Sequence, residues 1–196
     1  MKRMRAILLG MLMCPVVLWA QVVTNPFFPS QTDQVTITYD ATQGNQALMG
    51  ANPVYIHCGV ITNNSTGLTD WQHVMGTWGA AAPAFEMVDL GNDLHEFSFQ
   101  IDTYFSLLVE EEVSYLAFVF RNADGTVVGR SINGEDIYAP VYDTNFSAGF
   151  VLPNTTPLIF DSESVFDIVA AASDSSNFDI VYEGASVSLA TNVIAD

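Results

Sequence analysis

Two tryptophans able to bind a ligand, Trp71 and Trp78, stand seven residues apart in what is predicted to be a connection between strands. Tyr55 and His57 alternate on the polar face of the strand before it. Sugar rings stack their apolar C–H faces on exposed aromatics, and their hydroxyls need neighbouring imidazole, amide or carboxylate groups. These four residues therefore predict a carbohydrate-binding surface. The alternative is that the tryptophans anchor a core, since one buried Trp is normal in a β-sandwich.

Catalytic motifs are missing from the sequence. It has no Gly-rich phosphate loop, no nucleophile elbow and no paired metal-ligand motif. A glycosidase needs two carboxyl groups facing each other across a cleft, whereas Glu110, Glu111 and Glu112 are consecutive and are predicted to form a solvated turn. We expect Asp124 and Asp136 to serve turn chemistry, with a calcium ion as the alternative. The sequence predicts no enzyme, no cofactor and no metal site.

The charge of the chain excludes several partner classes. From residue 21 onward two arginines, Arg121 and Arg130, face 22 acidic residues, which gives a net charge of −20. Such a surface repels nucleic acids and anionic membranes, but it does not repel a neutral polysaccharide. A content of 49% hydrophobic residues is enough for a folded core. We expect Arg121 to find a carboxylate partner and to brace the turn that follows it.

The first twenty residues have the pattern of an export signal. A basic start (residues 2–5) precedes an apolar run of about 15 residues that is shorter than a spanning helix, and Ala20 is a plausible cleavage point. The prediction is a secreted or cell-surface protein with no membrane segment in its mature form; a membrane anchor is the alternative. Cys14 leaves with the leader, so Cys58 remains alone, without a disulfide. Alternation places Cys58 on a buried face.

The remaining sequence consists of short strands that must position these residues. Apolar alternation predicts strands at 35–40, 54–61, 86–90, 94–101, 113–121 and 127–128, with a hairpin turn at 122–125. No stretch shows a period of 3.6. The fold class is therefore all-β, an antiparallel immunoglobulin-like β-sandwich over residues 21–139.

A second unit is predicted over residues 140–196. Its strands are predicted at 146–152, 166–172, 178–182 and 186–190, and its opening weakly repeats the opening of the first unit. Some 55 residues are too few for a complete immunoglobulin-like domain, which has about 100. We therefore expect an incomplete second β-sandwich at the front of a longer protein.

A family resemblance rests on four segments. These are Val35–Ala41, Pro53–His57, Trp71–Val74 with Trp78–Gly79, and Leu116–Gly125. Over residues 22–139 the chain resembles the N-terminal module of secreted α-amylase-family proteins of Bacteroidota. Its most specific part is the Phe-Val-Phe-Arg-Asn-Ala-Asp-Gly run together with the earlier Trp-Gly. Residues 137–142 resemble the passage into the immunoglobulin-like domain of such proteins.

More distantly, the first module is similar to starch-binding modules of carbohydrate-binding families 25 and 26. That similarity implies a β-sandwich that binds α-glucan through Tyr55, His57, Trp71 and Trp78. The catalytic barrel of the α-amylase family is absent here, so any amylase activity belongs to a longer parent with a linked catalytic domain. The predicted function is a non-catalytic accessory module that binds or positions α-glucan. The alternatives are a structural spacer or cell-surface interaction module without a glycan ligand, and an enzyme in its own right.

Overall fold

The computed structural model describes residues 21–143, 145, 147–152, 169–174, 176–182 and 185–193. The predicted leader, with Cys14, lies outside these residues, as do residues 183–184 between the last two predicted strands. In the described part, strands dominate and every pairing between named strands is antiparallel. This confirms the all-β prediction. Within the same residues no helix is long and apolar enough to cross a membrane.

The first sheet has four strands in the order β1-β2-β6-β5. Their bounds are β1 (Val22–Asn25), β2 (Gln34–Asp40), β5 (Val88–Gly91) and β6 (Leu94–Gln100). In β2, Val35, Ile37 and Tyr39 are fully buried and alternate with threonines that are partly exposed. This period-2 pattern is what a strand needs when one face covers a core and the other meets solvent.

The second sheet has five strands. Its bounds are β3 (Tyr55–Thr62), β4 (Gln72–Met75), β7 (Val113–Arg121), β8 (Val128–Gly129) and β9 (Ile137–Pro140). The central strand β7 pairs along its length with β3, and on its other side with β9 and then β8. Strand β4 is the outer neighbour of β3. The stretch predicted as a Trp-rich connection thus contains a strand, and its pairing with β3 shifts register between Cys58 and Val60.

The core lies between the two sheets. Ile37 and Tyr39 of the first sheet form one hydrophobic cluster with Cys58, Phe118 and Phe120 of the second. The Tyr39 and Phe120 rings stack with centroids 3.9 Å apart. Burial of each large apolar side chain is worth about 1.5 to 3 kcal/mol, so this layer is the main source of stability. The predicted burial of Cys58 is confirmed, and burial raises the pKa of its thiol to about 12.

Two short helical turns connect strands, a 3-10 helix at Pro83–Phe85 and α1 at Ile101–Tyr104. Ile101, predicted as the end of a strand, instead begins α1 and is fully buried. The remaining strands form two two-stranded sheets, β10 with β11 and β12 with β13. Their bounds are β10 (Ala148–Leu152), β11 (Val169–Ala172), β12 (Ser176–Tyr182) and β13 (Ala185–Val193). Phe146 and residues 166–168 of the predicted strands lie outside the described residues.

Candidate functional site

Trp71 directly precedes β4 and packs on the outer face of the second sheet, above Gly59 of β3. A Cβ added to Gly59 would lie 3.3 Å from Trp71 Cβ and Cε3, and 3.0 Å from the Gln72 carbonyl oxygen. A side chain at position 59 would therefore push the indole away from the sheet. The Trp71 Nε1–H group is buried and has no hydrogen-bond partner. The ring itself is only partly buried.

Trp78 is positioned by the contact between two turns. The Ala80 amide donates to the Thr77 carbonyl around it, and Trp78 packs against Gly125 in the turn that follows β7. Gly125 has the left-handed φ of +73° predicted for this turn, and a Cβ there would lie 2.9 Å from Trp78 Nε1. Glycine thus serves both the backbone conformation and the close approach. Trp78 remains 47% exposed, so one part of the indole is free for a ligand.

His57 lies between the two tryptophans on the outer face of β3. Its ring meets Trp78 edge-on at a centroid distance of 5.1 Å and lies 6.3 Å from the Trp71 ring. Burial and the nearby Arg121 lower the pKa of His57, opposed by Asp136 and the Met75 backbone, so the ring is neutral at pH 7. Its Nδ1 atom is buried without a partner. The His57 and Trp71 rings thus each have one buried polar atom without a hydrogen-bond partner.

These three side chains line one open groove of about 370 Å³, which we call the tryptophan groove. Its lining consists of His57, Thr69, Asp70, Trp71, Val74, Trp78, Val119, Arg130 and Asp136. The structure therefore brings together three of the four predicted site residues. The lining combines two indole rings with carboxylate, guanidinium, hydroxyl and imidazole groups, which suits a ligand that is apolar on its faces and polar at its edges.

The polar rim of the groove is held by local bonds. The Asp70 carboxylate accepts hydrogen bonds from the Thr66 amide at 2.9 Å and the Thr66 hydroxyl at 3.0 Å, and these bonds lower the pKa of Asp70. Arg130 forms an ion pair with Asp136. Asp70 and Arg130 are site residues that were not predicted from the sequence. Asp70 adjoins Trp71 and could have been found by that adjacency, whereas Arg130 and Asp136 reach the groove only through the pairing of β8 and β9 with β7.

Tyr55, the fourth predicted site residue, is buried and offers almost no surface to a ligand. It is 4% exposed, and its hydroxyl donates to Glu86 Oε2 at 3.2 Å. The guanidinium carbon of Arg121 lies 5.3 Å from the Tyr55 ring centroid and 5.9 Å from that of Trp78. Tyr55 is thus part of a stack, Tyr55–Arg121–Trp78, in which the guanidinium of Arg121 contacts both rings. Tyr55 supports Trp78 through Arg121.

The expectation that Arg121 pairs with a carboxylate is wrong. The side chain is 1% exposed, and its guanidinium donates to carbonyl oxygens: Ala80 at 2.7 Å, and Asn122 and Ala123 at 3.0 Å. No ion pair involving Arg121 is present within residues 21–143. Four carbonyl oxygens, the fourth that of Thr77 at 3.5 Å, and two aromatic rings replace the carboxylate. Arg121 does brace the turn after β7.

Glu111 also departs from prediction, because it does not lie in a solvated turn. It is 6% exposed, and both its carboxylate oxygens lie within 3.0 Å of His73 Nε2. The Leu108 amide and the Asn64 side chain donate to the same carboxylate. The His73 contact, followed by the Leu108 amide, lowers the pKa of Glu111. This pair ties β4, which follows Trp71, to the loop before β7.

The acids considered for calcium have local partners. Asp124 Oδ1 accepts from the Thr126 hydroxyl at 2.7 Å and from the Thr126 amide, which lowers the pKa of Asp124. Asp136 pairs with Arg130. Across the described part of the chain, no group of three or more His, Cys, Asp or Glu side chains is placed to hold a metal ion.

The chain matches a protein family whose description names no function. A family model described as "Domain of unknown function (DUF8578)" matches residues 22–128, more than half of the 196-residue chain. The match contains Trp71, Trp78, His57 and Arg121, but it ends before Arg130 and Asp136. Among curated proteins, none matches the chain.

Proposed function

We propose that this chain, which belongs to the DUF8578 family of domains of unknown function, acts as a non-catalytic module that binds a neutral glycan along the tryptophan groove. The observation that carries the proposal is the convergence of His57, Trp71 and Trp78 on one open groove that polar side chains also line. A sugar would cover the exposed part of Trp78, and its hydroxyls would bond to the polar groups that line the groove, Asp70, Arg130 and Asp136.

The polar rim supports a sugar over an apolar ligand. Asp70, Asp136 and Arg130 offer acceptors and donors that are already held in place, so little ordering is needed on binding. Two carboxylates and a net charge of −20 from residue 21 onward disfavour acidic glycans. The choice of α-glucan among neutral glycans rests on the resemblance to starch-binding modules. We assign Tyr55 to supporting Trp78 through Arg121, not to direct contact.

The same resemblance supports a proposal for where the glycan-binding module acts. We propose an exported accessory region that holds α-glucan near a linked glycoside hydrolase. Tethering a binding site to a catalytic domain raises the local substrate concentration without new chemistry. The non-catalytic assignment rests on the missing catalytic motifs in the sequence.

Affinity electrophoresis tests the proposal. Residues 21–196 are run in native gels with and without soluble starch, and with glycogen, cellulose and xylan derivatives in parallel gels. We expect retardation by starch and glycogen. If the chain migrates equally in gels with and without each glycan, the glycan proposal is overturned and the alternative, a structural spacer without a glycan ligand, is favoured.

Tryptophan emission provides an independent check. Trp71 and Trp78 are the only tryptophans after residue 20. We expect a glycan that binds the groove to protect their emission against iodide or acrylamide. If iodide or acrylamide quenches the tryptophan emission equally with and without the glycan, any glycan binding lies elsewhere on the surface.

A further inference from the structure

Strand β4 contains a β-bulge directly beside the tryptophan groove. Between the pairs that β4 makes with Cys58 and Val60 of β3, two residues, His73 and Val74, lie opposite the single residue Gly59. His73 is the first of the two and has a left-handed φ of 50°. Glycine is the usual residue at this position of a left-handed bulge, because it adopts that conformation without strain. A histidine there requires an interaction that compensates for the strain.

The bulge determines which side chains of this segment reach the groove. Trp71 and Val74 both line the groove, and Val74 is half-exposed there. In a regular strand, two residues three positions apart point to opposite faces of the sheet. The extra residue of the bulge shifts this alternation, so Trp71 and Val74 share the groove while His73 stays outside its lining. Without the bulge, one of the two apolar side chains would leave the groove.

The compensating interaction is the contact between His73 and Glu111. The two carboxylate oxygens of Glu111 lie 2.9 and 3.0 Å from His73 Nε2. This carboxylate is itself fixed, because it is buried and accepts from the Leu108 amide at 2.9 Å and from the Asn64 side chain at 3.2 Å. The bulge in β4 is thus attached to a fixed point on the loop before β7, and that point lies outside the groove.

We propose that His73 and Glu111 are positioning residues of the tryptophan groove. Their contact stabilises the bulge in β4, and the bulge places Trp71 and Val74 where a glycan can contact them. For its ligand, this role rests on the proposed function. Trp78 has a separate support, the turn that contains Gly125, so the two indoles of the groove are held in place independently of each other.

The indole signals of the two tryptophans test the positioning role without a glycan. His73→Val removes the contact with Glu111 and introduces a β-branched residue, for which a left-handed φ is strongly unfavourable. Indole ¹H–¹⁵N shifts of the uniformly labelled 21–196 chain are compared between this variant and the parent, and Trp78→Phe assigns the two signals. We expect the Trp71 signal to move and the Trp78 signal to stay. If both signals move equally in the folded variant, or if neither moves, the positioning role is overturned.

Affinity electrophoresis with starch measures the consequence for binding. We expect His73→Val to weaken starch binding by about tenfold or more, as when an aromatic anchor of an interface is lost. Ser114→Val, an exposed position of β7 outside the groove, is the matched control and should bind starch as the parent does. A folded His73→Val variant that binds starch as tightly as the parent overturns the positioning role and leaves the glycan proposal intact. If the parent does not bind starch, the glycan proposal fails, and the indole signals alone decide the positioning role.

A second variant changes the other member of the contact. Glu111→Gln keeps an oxygen that accepts a hydrogen bond from His73 but removes the charge, so we expect starch binding to weaken by about threefold. The Trp71 indole signal should move by less than in His73→Val. Glu110→Gln, at the exposed neighbouring position, should change neither quantity. If His73→Val does not fold, Glu111→Gln decides, and a Trp71 signal identical to that of the parent overturns the positioning role.

Discussion

Replacing Trp78 by alanine should weaken binding of an α-glucan by an amount set by the exposed part of the indole. A tryptophan has roughly 200 to 250 Å² of surface to bury, and Trp78 is 47% exposed, so about 100 Å² is free. A sugar ring that covers half to all of this area removes roughly 50 to 100 Å² from water. At about 25 cal/mol per Å² this is worth about 1.3 to 2.5 kcal/mol, or roughly 10- to 70-fold in affinity.

The assay is affinity electrophoresis over a series of starch concentrations, which gives a dissociation constant for each variant. The fold should survive the substitution, because Arg121 keeps its bonds to the carbonyls of Ala80, Asn122 and Ala123. Circular dichroism and thermal unfolding check this. Leu90→Ala is the matched control, since Leu90 is 49% exposed but lies on β5 of the first sheet.

Two results would refute the reasoning. A folded Trp78→Ala variant that starch retards as strongly as the unmodified chain would show that the groove is not the contact surface. A similar loss in Leu90→Ala would show that the effect is general and not due to stacking. A loss far above the calculated range would mean that Trp78 does more than cover a sugar face.

Three further predictions concern stability. Gly129→Ala should destabilise the fold by about 1 to 3 kcal/mol in urea unfolding, because the new Cβ would lie 2.3 Å from the hydroxyl oxygen of the fully buried Tyr39. Arg121→Met should cost about 2 kcal/mol or more in the same assay, since it leaves buried carbonyls without a donor, and it should red-shift the tryptophan emission. Glu111→Gln should weaken the fall in melting temperature that acid causes. In the folded chain the pKa of Glu111 lies below its ordinary value of 4.5. The pairing of the Glu111 carboxylate with His73 therefore stabilises the fold above pH 4.5, and this stabilisation is lost as the pH falls through the folded pKa.

Two of these predictions have a control within the chain. Gly67→Ala should be nearly neutral, because nothing lies within 4 Å of a Cβ there and its backbone is not left-handed. Glu110→Gln, the exposed neighbour, should keep the steep acid limb. The stability predictions fail if Gly129→Ala unfolds at the same urea concentration as Gly67→Ala, if Arg121→Met is as stable as the parent, or if the two glutamine variants give identical pH profiles.

Two of the long strands were predictable because their large apolar side chains alternate, Val35, Ile37 and Tyr39 in β2 and Leu116, Phe118 and Phe120 in β7. Strand β7 (Val113–Arg121) has the predicted bounds, and β2 begins one residue earlier than predicted. Strand β4 was missed, since His73 has a left-handed φ of 50° and the pairing with β3 is irregular, so its side chains do not alternate regularly. β1 and β9 have only four residues each, too few for periodicity to show.

The site was predictable where neighbours in sequence are neighbours in space. Trp71, Trp78 and His57 lie on adjoining elements, so residue type and alternation indicated that they belong together. The burial of Tyr55 depends on Arg121, which lies opposite it across the β3–β7 pairing 66 positions later, and no local pattern reports that contact. The same holds for Glu111 and His73, which are 38 residues apart.

Because Cys58 is buried, the reactivity of its thiol can be used to measure how often the two sheets separate. From residue 21 onward it is the only cysteine, it is fully buried between the sheets, and its thiol has a pKa of about 12. Thiol reagents react with the thiolate, so an aromatic disulfide or a maleimide can modify the native protein only when the sandwich separates. The rate of modification therefore measures that separation without an engineered label. A cysteine introduced at the rim of the groove would, by contrast, react selectively in the native state and accept a fluorophore beside the proposed glycan site.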